Sequence, residues 1–387
     1  MSEIAIVGAG VGGMTLAIAC KQAGLDVRIY ESARTCQQSD SVLELTPNGS
    51  RILHALGLRS NLAEVSRQPP FATTHSAATS FLLAQRPLGA FSEARYGAPC
   101  YLIEARWLIT LLSDACEQLG ISIEFNTHVD QIDTSSATLT VAGGHLQQHR
   151  ATVIATGAGS NLSNCLEQRH WDQDADYMVI RARSSTANTT RRPHNNINTW
   201  VFPGGCCTEL PLEDQRVELL AVIHGSRSAA PAEDELAARM DRCHPNLKRI
   251  VEGITQAEYM EILTAQIAEY WYAGRCALLG DVCHAGAPHA TYGTAAAMED
   301  AWVLSRMMER WEEEPHQGFA DYQRYRKPRA QRLKKAALAH IDELTLSDRG
   351  AVWRRNILWS MTSRFLPEIA MQKLDWLHGY DCIKGFA

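Results

Sequence analysis

The sequence lacks the features that would place it in a membrane or outside the cell. No run of apolar residues reaches the length of about 18 that a membrane-spanning helix needs. An apolar run starts already at Ile4, which leaves no room for the charged region of a secretory leader. The 11 cysteines are scattered and include no CxxC pair, which favours reduced thiols over a disulfide framework. We therefore expect a cytoplasmic protein without a membrane span.

A surplus of charge of one sign is also missing. The chain has 37 Lys and Arg against 43 Asp and Glu, and the net charge of −6 is spread along it without a basic stripe, so nucleic acid is not an expected partner. The histidines and cysteines show no spacing typical of metal ligands, so we expect no metal. Apolar residues at 45% and charged residues at 21% are typical of globular proteins, and 387 residues exceed one ordinary core, which indicates two intergrown domains.

The start of the chain has the pattern of a βαβ unit. Apolar periodicity predicts a buried strand over residues 4–7, a helix over residues 12–23 and a second strand over residues 26–30. A glycine-rich turn, residues 8–13, joins the first strand to the helix and satisfies GxGxxG. A strand before this pattern and a helix after it are the context in which it indicates a dinucleotide site.

The residue type at each key position of the motif has a chemical reason. Gly8 permits the tight turn, Gly10 lets the backbone approach a pyrophosphate, and Gly13 lets the helix pack on the strand. The helix N-terminus then faces the phosphates. Glu31 follows Gly13 by 18 residues, which places its carboxylate near a ribose hydroxyl and disfavours a 2′-phosphate there. These residues predict FAD or NAD.

A second motif distinguishes FAD from NAD. A predicted strand over residues 276–280 ends in Gly-Asp-x-x-His-x-x-x-Pro, and the helix that begins near Thr294 contains Glu-Asp-Ala. This segment resembles the GD motif of the flavin-dependent aromatic hydroxylases. The resemblance implies that Asp281 binds the ribityl chain of FAD and that Pro288 lies beside the flavin ring. A helix N-terminus near Gly293 and Thr294 would stabilise negative charge on the reduced flavin.

The resemblance covers nearly the whole chain. Thr46-Pro47-Asn48 resembles the family's second segment, and residues 376–381 resemble the tail of its salicylate-hydroxylase-like members. The chain is thus similar to the single-component FAD-dependent monooxygenases of aromatic rings, the group of p-hydroxybenzoate and salicylate hydroxylases. In this family NADH or NADPH reduces FAD, O2 adds at flavin C4a, and the resulting hydroperoxide hydroxylates an electron-rich ring. The implied substrate is a small phenol, hydroxypyridine, indole or similar heteroaromatic acid.

The implied fold is α/β, with a Rossmann-like FAD-binding domain intergrown with a mostly antiparallel β-sheet substrate domain and followed by a helical tail. Residues 1–70, 101–168 and 266–317 are assigned to the first domain, residues 71–100 and 169–265 to the second, and residues 318–387 to the tail. Trp200 and Phe202 are expected to line a substrate pocket. The apolar stripe of residues 357–369 is interpreted as core, with a membrane or partner face as the alternative. We expect a monomer or a homodimer.

The chain departs from the family in four segments that hold the cofactor. Asp40-Ser41-Val42 replaces Gly-Ala-Gly, Ala105 replaces an arginine, residues 155–159 lack the usual Asp-Gly, and Thr291-Tyr292-Gly293 replaces Gly-Gln-Gly. The loss of Asp-Gly leaves open an FAD-dependent oxidation or cyclisation without NAD(P)H. The sum of the losses leaves open a weakly flavin-binding, non-catalytic relative.

Four groups are candidates to replace the lost contacts. They are Arg34, Arg106 and the backbone amides of Gly157 and Gly159. Because polar contacts to charged groups contribute strongly to binding, their loss predicts that FAD is held loosely.

Three residues, Glu44, Pro288 and His289, are the candidate catalytic residues at the substrate. Glu44 is a candidate general base for a phenol or a partner for a cationic substrate. Glu44 lies between Leu43 and Leu45 in a predicted strand, and alternation turns it away from both leucines and toward the flavin and substrate. The alternative for Glu44 is a solvent-facing residue or a partner of an arginine. Pro288 is the flavin-proximal residue of the resemblance, and His289 is expected to hydrogen-bond the substrate.

Overall fold

The structure is a computed structural model, and it describes residues 3–36, 39–167, 172–173, 177–185, 195–212, 216–225, 230–260, 263–285 and 292–386. The strands are β1 (Ile4–Val7), β2 (Val27–Tyr30), β3 (Val42–Leu45), β4 (Phe71–Ser76), β5 (Leu82–Pro87), β6 (Tyr101–Glu104), β7 (Ser122–Glu124), β8 (Val129–Asp133), β9 (Thr138–Val141), β10 (His145–Gln148), β11 (Ala151–Ile154), β12 (Asp172–Gln173), β13 (Tyr177–Ser185), β14 (Ile197–Phe202), β15 (Gly205–Pro211), β16 (Arg216–His224), β17 (Ile254–Met260), β18 (Leu263–Thr264), β19 (Tyr272–Ala273) and β20 (Cys276–Leu278). The helices are α1 (Val11–Gln22), α2 (Pro47–Ala55), α3 (Arg59–Val65), α4 (Ala90–Tyr96), α5 (Ala105–Gln118), α6 (Ala232–Met240), α7 (Pro245–Glu252), α8 (Asp281–His284), α9 (Tyr292–Arg310), α10 (Pro315–Leu344), α11 (Arg349–Phe365) and α12 (Pro367–His378).

The first sheet is built around the predicted βαβ unit. Its six strands run in the order β19-β20-β11-β1-β2-β7, and all neighbours pair in parallel except β19 and β20. Every residue of β1 and β11 is buried, as expected for parallel strands that are covered on both faces. The start of α1 lies against the end of β20, since a Cβ atom on Gly12 would lie 2.7 Å from Cδ2 of Leu279. The two predicted cofactor motifs are therefore neighbours.

The second sheet has seven strands in the order β17-β13-β16-β15-β14-β4-β5. All neighbours are antiparallel except β14 and β4, which are parallel. On one face Trp200 is buried with Leu236 of α6 and Leu247 of α7. On the other face Val222 is buried with Ile341 of α10. Helices therefore cover both faces of this sheet.

A two-stranded ribbon of β3 and β6 lies between the two sheets. The amide of Val42 donates a hydrogen bond to Glu218 of β16 at 3.1 Å, while Leu45 is buried in the core of the first sheet. The parallel first sheet, the mostly antiparallel second sheet and the helical tail confirm the predicted fold class. The domain limits given above stay a prediction.

The tail helix α11 is unusually exposed. Arg355 is its one buried residue, and Trp353, Met361 and Phe365 are 65%, 56% and 68% exposed. The helix packs on β5 and α12 along its other side, where Trp359 contacts the core. The interpretation of the apolar stripe in this helix as core is therefore wrong. No helix in the described part of the chain is both long and apolar enough to cross a bilayer.

Candidate functional site

The turn after β1 explains why the first motif needs its glycines. Gly8 has a φ of +112°, and a Cβ atom there would lie 2.6 Å from the carbonyl oxygen of Ala155. A Cβ atom on Gly13 would lie 2.1 Å from the carbonyl oxygen of Gly8. A Cβ atom on Gly10 would meet no atom within 4 Å. Gly8 and Gly13 are therefore required by the fold, whereas Gly10 keeps space open beside the turn.

The N-terminus of α1 and Glu31 meet at this turn. Helix α1 begins at Val11 without a side-chain cap, so its first N–H groups are available to an anion. Glu31 accepts hydrogen bonds from the amides of Ala9 and Ala33, each at 2.8 Å. These bonds fix the carboxylate at the end of β2, and Oε2 keeps acceptor capacity for a ribose hydroxyl.

A cavity of about 1070 Å³ runs along the turn. Seven of the predicted cofactor-binding residues line it, namely Gly8, Gly10, Glu31, Gly157, Asp281, Gly293 and Thr294. The volume is at the upper end of the range for small-molecule sites, as an extended dinucleotide requires. The cavity thus joins the glycine turn to the starts of α8 and α9.

Asp281 is the first residue of α8 and is open to the cavity, although protein surrounds it. This enclosure raises the pKa of its carboxyl group; His284 opposes the rise and Asp300 adds to it. A Cβ atom on Gly293 would lie 3.7 Å from Oδ1 of Asp281. The carboxylate and the N-terminus of α9 therefore adjoin, and together they offer an acceptor for a polyol and a positive helix end for an anionic ring.

A buried network of charges lies behind α8 and α9. His284 shares a hydrogen bond with Asp300, whose other oxygen accepts one from Nε of Arg326 at 2.7 Å. Arg326 and Arg329 both pair with Glu299, at 2.8 and 3.0 Å. Glu299, Asp300 and Arg326 are fully buried. Alternating charges and hydrogen bonds offset the desolvation cost of these groups, so the network fixes α9 against α10.

The same network contains the one group of described residues that could hold a metal ion, Cys283, His284 and Asp300. Their ligand atoms already have protein partners. Cys283 donates a hydrogen bond to the carbonyl of Gly280 at 3.0 Å, and Asp300 contacts the cationic Arg326. Burial alone would lower the pKa of His284, but Asp300 raises it above its usual value, which disfavours the neutral imidazole that binds metal. The absence of a metal stays a prediction.

The arginines expected to replace lost FAD contacts do not line the cavity. Arg34 is exposed. Nη2 of Arg106 pairs with Glu104 at 2.9 Å, and its guanidinium lies 5.1 Å from the ring centroid of Trp107. One position along a helix turns a side chain by about 100°, so Arg106 does not take the direction of the family's arginine. Of the four candidates the structure brings only Gly157 to the cavity, and Gly159 does not line it.

Of the three candidate substrate contacts, the structure describes only Glu44. Pro288 and His289 fall outside the described residues, so their roles stay predictions. Glu44 does not line the cavity, and its side chain is 11% exposed. It accepts a hydrogen bond from Sγ of Cys100 at 3.5 Å and lies 3.8 Å from Nη2 of Arg86. Nothing in the sequence pattern pointed to Arg86, because the pairing joins two different sheets.

The expectation that Trp200 and Phe202 line a pocket is wrong. Both are buried in the core under α6 and α7, and Nε1 of Trp200 donates a hydrogen bond to Glu209 at 3.3 Å. Alternation along β14 turns Val201 to the opposite face, where it packs in the core shared with α10.

Comparison with known proteins agrees with the site. Residues 1–337 match the FAD binding domain family. The 3-amino-4-hydroxybenzoate 2-monooxygenase of Streptomyces cremeus is 28% identical over 353 residues, which cover 89% of this chain and 88% of that protein. The 6-hydroxynicotinate 3-monooxygenase of Bordetella bronchiseptica is 26% identical over 347 residues, with 87% and 90% covered.

A solved structure shares the fold and contains FAD. It is Klebsiella pneumoniae HpxO complexed with FAD and uric acid, which matches with a TM-score of 0.81 at 21% identity and covers 96% of this chain and 97% of that chain. The family match spans well over half of the residues, and the glycine turn, Glu31 and Asp281 lie along one cavity of suitable size. The chain therefore belongs to the FAD binding domain family and, within it, to the FAD-dependent monooxygenases of aromatic compounds.

Proposed function

We propose that the protein hydroxylates a small aromatic or heteroaromatic compound that carries a ring hydroxyl group, with O2 and NADH or NADPH as co-substrates. The observation that carries this proposal is the cavity that joins Glu31 and the glycine turn to Asp281 and the start of α9, since an extended FAD would place its ring at that end. The substrates in the names of two similar proteins, 3-amino-4-hydroxybenzoate and 6-hydroxynicotinate, are both hydroxylated ring acids and support this class.

Four parts of the chain would hold FAD. Glu31 would accept hydrogen bonds from the adenosine ribose, and the N-terminus of α1 would bind the pyrophosphate. Asp281 would accept hydrogen bonds from the ribityl hydroxyls. The N-terminus of α9, at Gly293 and Thr294, would stabilise negative charge on the reduced ring.

The proposed reaction balances with one molecule of O2. One oxygen atom replaces a ring hydrogen as a hydroxyl group, the other leaves as water, and NAD(P)H with one proton supplies two electrons. Bound FAD supplies the electron transfer and the activation of oxygen. The chain itself positions the ring and excludes water, and Glu44 is the candidate to accept the proton of the substrate hydroxyl.

The experiment that tests the proposal is a screen of aromatic hydroxy acids with added FAD. A hydroxylase shows substrate-stimulated NAD(P)H oxidation together with oxygen uptake and a hydroxylated product. The missing Asp-Gly within residues 155–159 favours a second candidate, an oxidase or cyclase. That enzyme would bleach the flavin with substrate alone under anaerobic conditions. A protein that shows neither behaviour with any compound of the class would refute both.

A further inference from the structure

A cluster of polar side chains lies beside the flavin end of the cavity. It consists of Glu44 on β3, Arg86 on β5, Tyr292 at the start of α9 and His378 at the end of α12. Tyr292 directly precedes Gly293, which lines the cavity. The ring of Tyr292 packs against the apolar cluster that contains Leu377, the neighbour of His378, and burial raises its pKa.

The guanidinium of Arg86 is fixed by one hydrogen bond, and most of its N–H donors have no partner among the described residues. Nη1 donates a hydrogen bond to Nε2 of His378 at 2.9 Å, and Nη2 lies 3.8 Å from Oε1 of Glu44, which is too far for a hydrogen bond. His378 is the one described residue that accepts a hydrogen bond from it. An arginine has five N–H donors in a planar fork, so several remain for a ligand.

Glu44 also has few hydrogen-bond donors around it among the described residues. Its side chain is 11% exposed, and among the described residues it accepts a hydrogen bond only from the thiol of Cys100, at 3.5 Å. A thiol is a weak donor, so the carboxylate is stabilised mainly by the charge of Arg86 at 3.8 Å and keeps acceptor capacity for a further hydrogen bond. Opposite charges side by side, each with free hydrogen-bonding capacity, are suited to a ligand that carries both an acceptor and a donor.

His378 fixes the direction of the arginine. Burial lowers the pKa of His378 well below its usual value, and the positive charge of Arg86 lowers it further. The ring is therefore neutral at ordinary pH, and its Nε2 can accept the hydrogen bond from Arg86. His378 adds no charge of its own, which leaves Arg86 as the cation of the cluster.

We propose that Arg86 determines substrate specificity by binding a carboxylate on the aromatic substrate, while Glu44 accepts a hydrogen bond from a ring hydroxyl or amino group. This inference rests on the proposed function and names the substrate class of the same site. A carboxylate matches the fork geometry of a guanidinium and can form two parallel hydrogen bonds with it. His378 is a positioning residue that orients the fork toward the ring.

The test compares an acid with its uncharged amide. The probes are 3-amino-4-hydroxybenzoate and 3-amino-4-hydroxybenzamide, and binding to the protein saturated with FAD is measured by the change in flavin absorbance. Arg86→Gln should raise the Kd of the acid by about tenfold or more, because a hydrogen-bonded charge pair is lost. The Kd of the amide should change by less than about threefold, because that ligand has no charge to pair. The Kd of the acid for Arg86→Lys should lie between those of the parent and Arg86→Gln, since lysine keeps the charge and loses the planar fork.

Two further variants separate specificity from a structural role. Arg59→Gln is the matched control, because Arg59 is 63% exposed and pairs with Glu93 at the surface, and it should leave both Kd values unchanged. His378→Gln should weaken binding of the acid more than binding of the amide. If His378 had a purely structural role, the variant would weaken binding of both ligands equally. The FAD affinity of each variant should stay that of the parent, since these side chains do not line the cavity.

The inference is overturned if Arg86→Gln weakens acid and amide equally, or neither, or if the parent protein binds the amide as tightly as the acid. Its failure can be told from failure of the proposed function. Turnover of neutral phenols that is indifferent to Arg86 would refute the inference alone. Arg86-dependent binding of the acid without hydroxylation of any compound would refute the proposed function alone.

Discussion

Gly10 is the glycine whose role belongs to the ligand and not to the fold. Its backbone has a φ of −81° and a ψ of −179°, an extended conformation that any residue adopts. A Cβ atom there would point into open space. We predict that Gly10→Val leaves the melting temperature of the apo-protein close to that of the parent and raises the Kd for FAD by about tenfold or more, because the side chain occupies the pyrophosphate position.

Gly13, in contrast, is required by the fold, since a Cβ atom added there would lie 2.1 Å from the carbonyl oxygen of Gly8. Gly13→Ala should lower the melting temperature of the apo-protein. Calorimetry without FAD and a fluorescence titration with FAD measure the two effects. Equal FAD affinity in Gly10→Val and the parent would show that the pyrophosphate does not lie at this turn.

Glu218 is a buried acid whose ionisation opposes folding. It is 2% exposed, and burial raises its pKa to about 7, although the amide of Val42 and nearby arginines oppose the rise. An acid whose pKa is higher in the folded state binds more protons there, so the stability it contributes is greatest at low pH and falls as the pH rises through about 7.

We therefore predict that Glu218→Gln raises the free energy of unfolding by up to about 3 kcal/mol at pH 8, at about 1.4 kcal/mol per pKa unit, with no gain at pH 4. Urea denaturation at both pH values measures the difference. Glu258→Gln is the control, because Glu258 is 47% exposed and pairs with Arg181 at the surface. A gain for Glu218→Gln that is larger at pH 4 than at pH 8 would reverse the predicted sign.

At the scale of elements, Arg326 joins α10 to α9. It pairs with Glu299 and Asp300, and all three are fully buried. We predict that Arg326→Met lowers the free energy of unfolding by about 3–5 kcal/mol, since it leaves two buried carboxylates without their shared cation. FAD affinity should fall as well, because the N-terminus of α9 forms a wall of the cavity.

Arg324, two positions earlier on the same helix, is the matched control. It is 81% exposed and pairs with Asp321 at 2.8 Å, so Arg324→Met should cost less than about 1 kcal/mol. Urea titration of both variants gives the comparison. If both variants lost similarly small amounts of unfolding free energy, the buried network would not stabilise the fold.

The elements also show what a sequence can and cannot predict. Strand β1, helix α1 and strand β2 follow one another in the chain. Their apolar periods and the glycines between them therefore predict the βαβ unit and the part of the site at the glycine turn. The stripe on α11 has the same kind of period, but a period does not say which face meets a neighbour. Met361 and Phe365 therefore lie exposed where core was expected.

Contacts between distant segments could not be predicted from the sequence for the same reason. Arg86 meets Glu44 and His378 only because β3, β5 and α12 converge in the folded chain. Arg106 was expected at the cofactor because it is one residue from the family's position. Its direction on α5 instead leads to Glu104.

For the whole molecule we predict that FAD is held loosely. Ala105 carries no cation, Arg106 pairs elsewhere, and residues 155–159 contain no carboxylate. Each lost polar contact is worth about 1–3 kcal/mol, and 1.4 kcal/mol changes a dissociation constant about tenfold. The purified protein should contain less than one FAD per chain, and added FAD should raise its melting temperature because FAD binds the native state.

Absorbance ratios after dialysis and thermal melts over a range of FAD concentrations measure this occupancy. NAD serves as the control ligand and should produce a smaller shift. A protein that stays fully yellow through extended dialysis would show that other contacts have replaced the missing ones.

The central claim, that this chain uses FAD to insert oxygen into an aromatic ring, is tested most directly with 18O2. The FAD-saturated protein is incubated with NADH or NADPH and an aromatic hydroxy acid such as 3-amino-4-hydroxybenzoate, and the product is analysed by mass spectrometry. We predict one 18O atom in a new ring hydroxyl for each NAD(P)H consumed. A new hydroxyl that takes its oxygen from water, or substrate oxidation without any oxygen in the product, would contradict the claim.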